Sequence, residues 1–545
     1  MTSHRSHALR TAAVAVLTGL SLAACGPRNR APAGAADAAQ RVFVPPGSKD
    51  EFYAFMSGGF SGQVSVYGLP SGRHFKTIKV FSQDPETGWG YSEQTKPMLM
   101  TSYGQIPWDD AHHPELSMTD GVPDGRWLFI NGNNTPRIAR MDLTTMETAE
   151  IIEIPNSAGN HASPFVTQNT EYTVAATRFS VPTPQRDVPI SSYRENFAGV
   201  LSFVKVDSTT GHMAIAFQIR MPGYDYDLAH AGKGPSDGWA FFTSYNSEQA
   251  HTLLEVNASQ HDKDFVAAVH WKVAEQCVAQ GKATREPARY AHNTMGPDHI
   301  ARTEWGTSVL VVSPATCPGL VYFLPTPKSP HGVDVDPSGD LIVAGGKLST
   351  VIPVFSFAKV QDAIRTNAVD TVIDGIPVLK YASIIAGEVQ DPGLGPLHTE
   401  FDGQGHAYTS MFVSSEIVKW DLKTFQVLDR TPSYYAVGHL MIPGGDSRRP
   451  WGKWVLSLNK ITKDRYLPTG PELTQSTQLI DITGDRMQLL AEFPTVGEPH
   501  YARRSRPRSS RTASSRCSTW PTTPTRGPRT ARPRPGSRGR GGRCT

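Results

Sequence analysis

The 545-residue chain is poor in cysteine: it has five, and no two are spaced as a metal-binding motif. A thiolate-ligated zinc or iron–sulfur centre is thereby excluded. A long hydrophobic run is also missing. The apolar stretch from Ala12 to Ala24 is too short for a comfortable membrane span, and no twin-arginine pair precedes it. Sustained helical periodicity is scarce, which argues against a helical bundle and against a run of parallel βα units. Lysine and acidic residues are absent from residues 503–545, where thirteen arginines stand. The rest of the chain carries 40 basic and 50 acidic side chains, so the formal net charge of +3 belongs to the tail alone. A basic, nucleic-acid-binding body is excluded.

What is present begins with an export signal. Arg5 and Arg10 precede the apolar run, which ends Leu22-Ala23-Ala24-Cys25-Gly26. Small residues before a cysteine, after an apolar one, resemble a bacterial lipoprotein cleavage box, with Cys25 the lipid-modified first residue. A plain signal peptide with a chance cysteine is the alternative. Residues 1–25 are read as this signal, and residues 26–48, rich in Ala, Pro, Gly and Arg, as a tether. The expected location is the periplasm or cell envelope. Export implies an oxidising compartment, where Cys277 and Cys317 can either pair or stand as separate thiols.

Between residues 49 and 502 a pattern recurs: a Gly-containing turn, an alternating strand, a loop, and a second strand ending near Asp. Copies are Asp124–Asp142, Pro337–Gly345, Asp402–Asp421 and Gly452–Asp481. With 48 Gly and 43 Pro, this repetition predicts an all-β fold, a seven-bladed β-propeller with long loops. A short helix is expected at 355–366. Residues 503–545 have no Leu, Ile, Val, Phe or Met and can bury almost nothing, so a disordered tail is expected. Its Arg-without-Lys composition reads as out-of-frame sequence, with a nucleic-acid-binding tail as the alternative.

The candidate functional residues are histidines. His112-His113 precede Pro114, and His161, His331, His398, His439 and His500 stand in Gly- or Pro-flanked, turn-like contexts. Neighbouring side chains on an extended segment point opposite ways, so the backbone must turn if His112 and His113 are to serve one site. The gaps from His113 to His161, and between successive members from His331 to His500, are about one blade long. Equivalent loops of a propeller converge on its axis, so these imidazoles can meet. Any one of them alone is better read as a hydrogen-bonded turn residue. Together, with no cysteine and no obvious carboxylate partner, they suit copper, zinc or iron. Zinc normally takes four ligands, so seven imply more than one ion. Copper is favoured by affinity in an exported redox protein.

The segments DDAHHPELS, GRWLFINGNNTPRIARMDL, AGNHASPF, SPHGVDVDPSGDLIVAGGKL, GLGPLHTEFDGQGHAYTS, ITKDRYLPTGPE and GEPH, in this order over residues 50–502, closely resemble the nitrous-oxide reductase family, in its Sec-exported or lipoprotein branch. The resemblance implies a seven-bladed propeller followed by a cupredoxin domain. It implies a sulfide-bridged four-copper centre, CuZ, on His112, His113, His161, His331, His398, His439 and His500. His406 lies in a strand where the family uses no ligand. The implied reaction is reduction of N2O by two electrons and two protons to N2 and water, the last step of denitrification. Lys419 matches a family lysine near the cluster and is the candidate proton donor. Asp446 stands where other members carry Glu and is a candidate for orienting a ligand histidine. Calcium is implied at Tyr245 and Glu248, with Asp262 or Asp264, although Ser329 replaces an expected Asn. Further implied partners are a c-type cytochrome or cupredoxin donor, copper-cluster assembly factors, and a second copy in a homodimer.

The resemblance stops at about Ala502. The Cys, His and Met ligands of the family's two-copper entry site, CuA, are absent from this sequence. The expectation is a chain that assembles CuZ but lacks the usual electron route. A non-catalytic, exported copper-binding or partner-binding propeller is the competing expectation.

Overall fold

The Gly-turn and strand repeats fold as their alternation dictates. The computed structural model describes residues 33–162, 164–183, 186–245, 264–460 and 475–505. Among them lie six sheets of four or more strands and one two-stranded ribbon. Three sheets are consecutive four-stranded antiparallel units. They run Pro330–Val335 to Ile385–Gln390, Pro396–Phe401 to Val427–Pro432, and Leu440–Met441 to Gln488–Pro494. The turn Asp336-Pro337-Ser338-Gly339 exemplifies the local cause. Gly339 takes φ +80°, and the Asp336 carboxylate accepts from the backbone N–H of Gly339 and Leu341.

Within each unit the first strand is buried on both faces. Every residue of Pro330–Val335 and Pro396–Phe401 is buried, whereas the outer strands Val427–Pro432 and Gln488–Pro494 are largely open to solvent. The first strands also touch one another. Asp225–Ala231, Pro330–Val335, Pro396–Phe401, Leu440–Met441, Ala502–Ser505 and Ala111–Thr119 meet in sequence, so the sheets radiate from a common centre. This is a propeller-like arrangement. Apolar clusters fill the spaces between sheets, among them Val343, Ile352, Val354, Phe401, Val418 and Trp420, each fully buried side chain stabilising by roughly 1.5–3 kcal/mol.

Three features depart from the sequence expectation or refine it. First, Ala502–Ser505 pairs antiparallel with Phe52–Ser57 and completes the first sheet. The boundary expected between 502 and 503 therefore falls inside a strand, because Arg503 finds buried anionic partners that composition alone does not reveal. Second, the hairpin Thr284–Met295/Ala301–Val312 lies between Glu147–Glu153 and Met213–Met221, fusing two strand groups into one ten-stranded sheet. Third, Cys277 and Cys317 form a disulfide across 40 residues. It ties the helix Trp271–Ala279 to the loop after the hairpin, a closure that stabilises by about 3–4 kcal/mol.

The helix expected at 355–366 spans Phe357–Arg365, capped by the Ser356 hydroxyl accepting from the Lys359 N–H. No helix among the described residues is long and apolar enough to cross a membrane. Cys25 and the segment 461–472 lie outside the described residues.

Candidate metal centre

The histidines stand where the innermost strands begin, and a local irregularity aims them. Pairing registers break between Ala111 and Pro114, Pro330 and Val333, and Pro396 and Thr399. These β-bulges flank His112-His113, His331 and His398. A bulge re-aims side chains that strict alternation would send to opposite faces, so these four lie within strands rather than in loops. At the first bulge the Asn131 side-chain oxygen accepts from the His113 backbone N–H at 2.8 Å. The His112 and His113 rings consequently lie 4.4 Å apart, centroid to centroid.

Two groups of buried imidazoles form: His112, His113, His161 and His500, and beside them His331, His398 and His439. Within each group the potential ligand atoms lie within 4.8 Å of one another. The groups adjoin through His113–His439 at 4.8 Å, His439–His500 at 5.0 Å and His161–His331 at 5.6 Å between ring centroids. His406 stays apart, bonded to Asp402.

Hydrogen bonds fix the tautomers of three rings. His113 Nδ1 donates to the His161 carbonyl at 2.9 Å, His161 Nδ1 to the Asp227 carbonyl, and His331 Nδ1 to the Asp227 carboxylate. A carbonyl can only accept, so Nδ1 carries the proton and Nε2 keeps its lone pair in the first two. Eight other imidazole nitrogens are buried without a hydrogen-bond partner: both of His112, His398 and His439, and Nε2 of His113 and His500. His112 Nδ1 lies 3.2 Å from Asp110 Oδ2, but its direction does not make a hydrogen bond. A buried, unsatisfied polar group costs roughly 1–3 kcal/mol. Lone pairs converging at this density fit a metal-ion cluster, with imidazole as the ligand type.

Electrostatics keep the rings neutral. Burial pushes the imidazolium pKa of His112, His113, His398, His439 and His500 well below the ordinary value, the crowding of neighbouring imidazoles adds to it, and Lys460 acts on His112, His398 and His500. His161 is lowered and His331 falls to about 3, burial outweighing the nearby Asp227 charge. Neutral imidazole is the form that binds metal. Against these, burial raises Glu115 to about 8, Asp334 to about 7 and Glu400 well above its ordinary value, with smaller rises at Asp109, Asp110 and Glu498. Those carboxyls favour the fold at low pH. The lowered imidazoles, His230 at about 3 included, outnumber them, so the unfolded chain binds more protons below pH 6.5. The metal-free protein should lose stability as pH falls from 7.5 to 5.5. A urea midpoint that holds or rises over that interval would contradict the burial of these rings.

On one side the cluster meets a polar column. Tyr501 packs 4.2 Å from the His439 ring, and the Arg503 guanidinium lies 4.3 Å over Tyr501. Arg503 bonds Glu115 at 3.0 Å and Glu400 at 2.7 Å and lies 3.5 Å from Asp446. Burial raises the Asp446 pKa, but Arg503, Lys233 and His230 outweigh it and hold that carboxyl below its usual range. A small cavity beside this contact is bounded by His113, Glu115, His230, Asp334, Tyr501 and Arg503.

Lys419 and Asp446 have surroundings that their sequence context did not indicate. Lys419 reaches the Gly484 carbonyl at 3.5 Å and the Tyr408 ring at 6.0 Å, and none of its described contacts is with the seven histidines. Its strand places it toward the neighbouring sheet. Lys460 is the lysine whose charge acts on His112, His398 and His500. The Asp446 carboxylate lies 3.5 Å from Arg503, its backbone carbonyl accepts from Lys233, and none of its described contacts is with the seven histidines. A carboxylate partner does exist: Asp227 Oδ1 lies 2.6 Å from His161 Nδ1, while its other oxygen meets His331. Asp227 is 66 residues from one ring and 104 from the other, so spacing gave no signal for it. Glu115 and Asp110 were visible beside the histidine pair.

Of the calcium candidates, Asp264 is buried and accepts from the Ser329 N–H at 2.5 Å. Tyr245 ends the strand Trp239–Tyr245. Glu248 and Asp262 lie outside the described residues.

A propeller-like β-protein gathering seven buried imidazoles at its centre defines a candidate poly-histidine metalloprotein. Residues 430–500 match the family model described as the nitrous oxide reductase propeller repeat. The chain is 32% identical over 474 residues to the nitrous-oxide reductase of Stutzerimonas stutzeri, covering 85% of this chain and 68% of that one. It is 32% identical over 506 residues to that of Pseudomonas fluorescens, covering 89% and 73%. The chain belongs to the nitrous-oxide reductase family. Among solved structures, the periplasmic gluconolactonase PpgL of Pseudomonas aeruginosa aligns with TM-score 0.44 and 12% identity, over 84% of this chain and 100% of that one.

Proposed function

We propose that this chain is a nitrous-oxide reductase, converting N2O, two electrons and two protons to N2 and water at a four-copper sulfide centre. His112, His113, His161, His331, His398, His439 and His500 would hold it, within a propeller of seven blades. The observation that carries the reading is the set of partnerless, buried imidazole nitrogens in a chain of this family. The blade count is supported by the four-stranded units and by the way the larger sheets divide into four-stranded groups, such as Ala111–Thr119 to Glu147–Glu153. When bound, the copper centre supplies electron density to an inert, weakly binding substrate.

The chain's own residues do the rest. Asp227 holds His161 and His331 by their Nδ1 atoms and leaves Nε2 for metal. Burial of all seven rings excludes bulk water. Glu115 and Asp334, whose carboxyls keep protons near neutrality, face the cavity beside His113 and are placed to hold protons for the reaction. Lys460 adds positive charge where negative charge develops. The disulfide suits an exported, oxidising location. The same reading includes a c-type cytochrome or cupredoxin donor, assembly factors for the cluster, a homodimer, and calcium near Tyr245, Glu248, Asp262 and Asp264.

The test is copper reconstitution followed by turnover of labelled N2O with reduced viologen, a small electron donor. Labelled N2 from the loaded chain is the expected result. Loading of fewer than about three coppers per chain would sink the cluster. A fully loaded, fully reduced chain giving no N2 would leave a copper-binding propeller without catalysis.

A further inference from the structure

A second, separate constellation lies on the ten-stranded sheet. Glu150, on Glu147–Glu153, is buried. His292, on the inserted strand Thr284–Met295, places Nε2 2.6 Å from Glu150 Oε1, and His212, in the turn before Met213–Met221, places Nδ1 2.7 Å from the same oxygen. The two rings are stacked, 5.0 Å apart and 15° from parallel, with their nitrogens converging. The other carboxylate oxygen is occupied by Arg140 Nε at 3.1 Å, and the Met213 N–H approaches both oxygens at 3.2 Å. Glu150 is thus held ionised, its pKa down to about 2: burial raises it, and the hydrogen bonds of His212 and His292 outweigh that.

We propose that Glu150, His212 and His292 form a mononuclear site for a divalent first-row transition ion such as Zn2+. Two imidazoles and one carboxylate oxygen, with no thiolate, are a common donor set for such an ion, and water completes the coordination. The three ligand atoms lie within 4.8 Å of one another. Zinc bonds of roughly 2.0–2.1 Å at tetrahedral angles put ligand atoms about 3.3 Å apart. The nitrogens therefore have to open by about 0.6–0.7 Å from their hydrogen-bond distances of 2.7 and 2.6 Å when metal replaces the shared protons. His212 gives that freedom, because its side chain is 52% exposed while Glu150 is buried to 1%. The exposed ring also leaves a path for entry. Arg140 does not compete, since it uses the opposite carboxylate oxygen.

The site has a structural purpose. The inserted hairpin joins Glu147–Glu153 through only His292–Ile152, Asn293–Ile151 and Thr294–Glu150. An ion on Glu150, His292 and His212 clamps this short ladder and ties it to the strand starting at Met213. It links elements 142 residues apart in sequence.

Full-length protein stripped by a chelator is titrated with Co2+ and Zn2+, beside His212→Ala, whose exposed position leaves the fold intact. The same titration on His113→Ala separates the axial cluster. The proposal expects one more equivalent of Co2+ in wild type than in His212→Ala, with a d–d band of tetrahedral or five-coordinate cobalt that His113→Ala keeps. It also expects a Zn2+-dependent rise in melting temperature that His212→Ala loses. Equal stoichiometry and equal Zn2+ response in wild type and His212→Ala would overturn it and leave the trio an ion-pair network. Loss of the extra equivalent in His113→Ala but not in His212→Ala would overturn it equally.

Discussion

Asp227→Ala should weaken copper binding at the axial centre by about 10–100-fold, the cost of removing a carboxylate that orients metal-binding imidazoles. Asp227 serves two rings from two different strand groups. One oxygen lies 2.6 Å from His161 Nδ1, and the other meets His331 Nδ1 and lies 3.6 Å from Lys347. Burial raises the Asp227 pKa, but its interactions with the His331 N–H, the Lys347 ammonium and the His161 N–H outweigh that and hold it well below the carboxylate range. The oxygens are therefore acceptors throughout the working pH range. Alanine leaves the His331 N–H buried without its acceptor, and leaves His161 held by the residue-227 backbone carbonyl alone. Asp227→Asn keeps one acceptor and turns an amide N–H toward the other ring, so it should rescue little. Copper retention against a graded chelator measures the effect. Wild-type retention in Asp227→Ala would mean that the backbone carbonyl and ring packing suffice.

The second large effect is on stability. Arg503→Met should destabilise the protein by about 3–5 kcal/mol near neutral pH, the range for removing one partner of a buried ion network. Arg503 is the shared cation of Glu115 and Glu400, with Asp446 close by, and its side chain is 6% exposed. Burial alone would lower the Arg503 pKa, but the surrounding anions hold it well above the ordinary value. Burial already raises Glu115 and Glu400, which turn neutral more readily without Arg503, so the charge left unpaired is that of Asp446, and the loss should shrink as that carboxyl takes up a proton toward pH 5. Arg503→Lys supplies one point charge in place of a fork and should recover only part. Urea midpoints at pH 7.5 and 5.5 read both the size and the pH trend. A variant indistinguishable from wild type at both values would place Arg503 outside the core.

Residue 503 also marks where sequence reading reached its limit. Composition sees Arg503-Arg504 as the start of an arginine-rich text with nothing to bury. It cannot see that a single guanidinium is what Glu115 and Glu400, more than a hundred residues away, require. The strand repeats were legible because turn glycines and alternating residues are local signals. The histidines were legible as a set because each stands in a Gly- or Pro-containing, turn-like segment, most of them about one repeat from the next. Their aim was not, since a bulge depends on the partner strand: nothing in Pro330-His331-Gly332 announces the register break against Ala344 and Gly346. Asp227 was hidden for the same reason, and Lys460 gave no local signal, since its charge reaches the imidazoles only through the fold. The inserted hairpin at 284–312 disguised two strand groups as one.

One consequence follows from the pairing of Ala502–Ser505 with Phe52–Ser57. His500 immediately precedes that strand, and its ring lies 3.7 Å from the ring of His112. The seventh imidazole thus arrives only when the last strand docks on the first. Nascent chain emerging from the ribosome carries six of the seven in order but no finished cradle. A metal held by both His112 and His500 would therefore bridge two segments almost four hundred residues apart and lock the pairing of Ala502–Ser505 with Phe52–Ser57, so metal loading should raise the resistance of that strand to exchange and proteolysis.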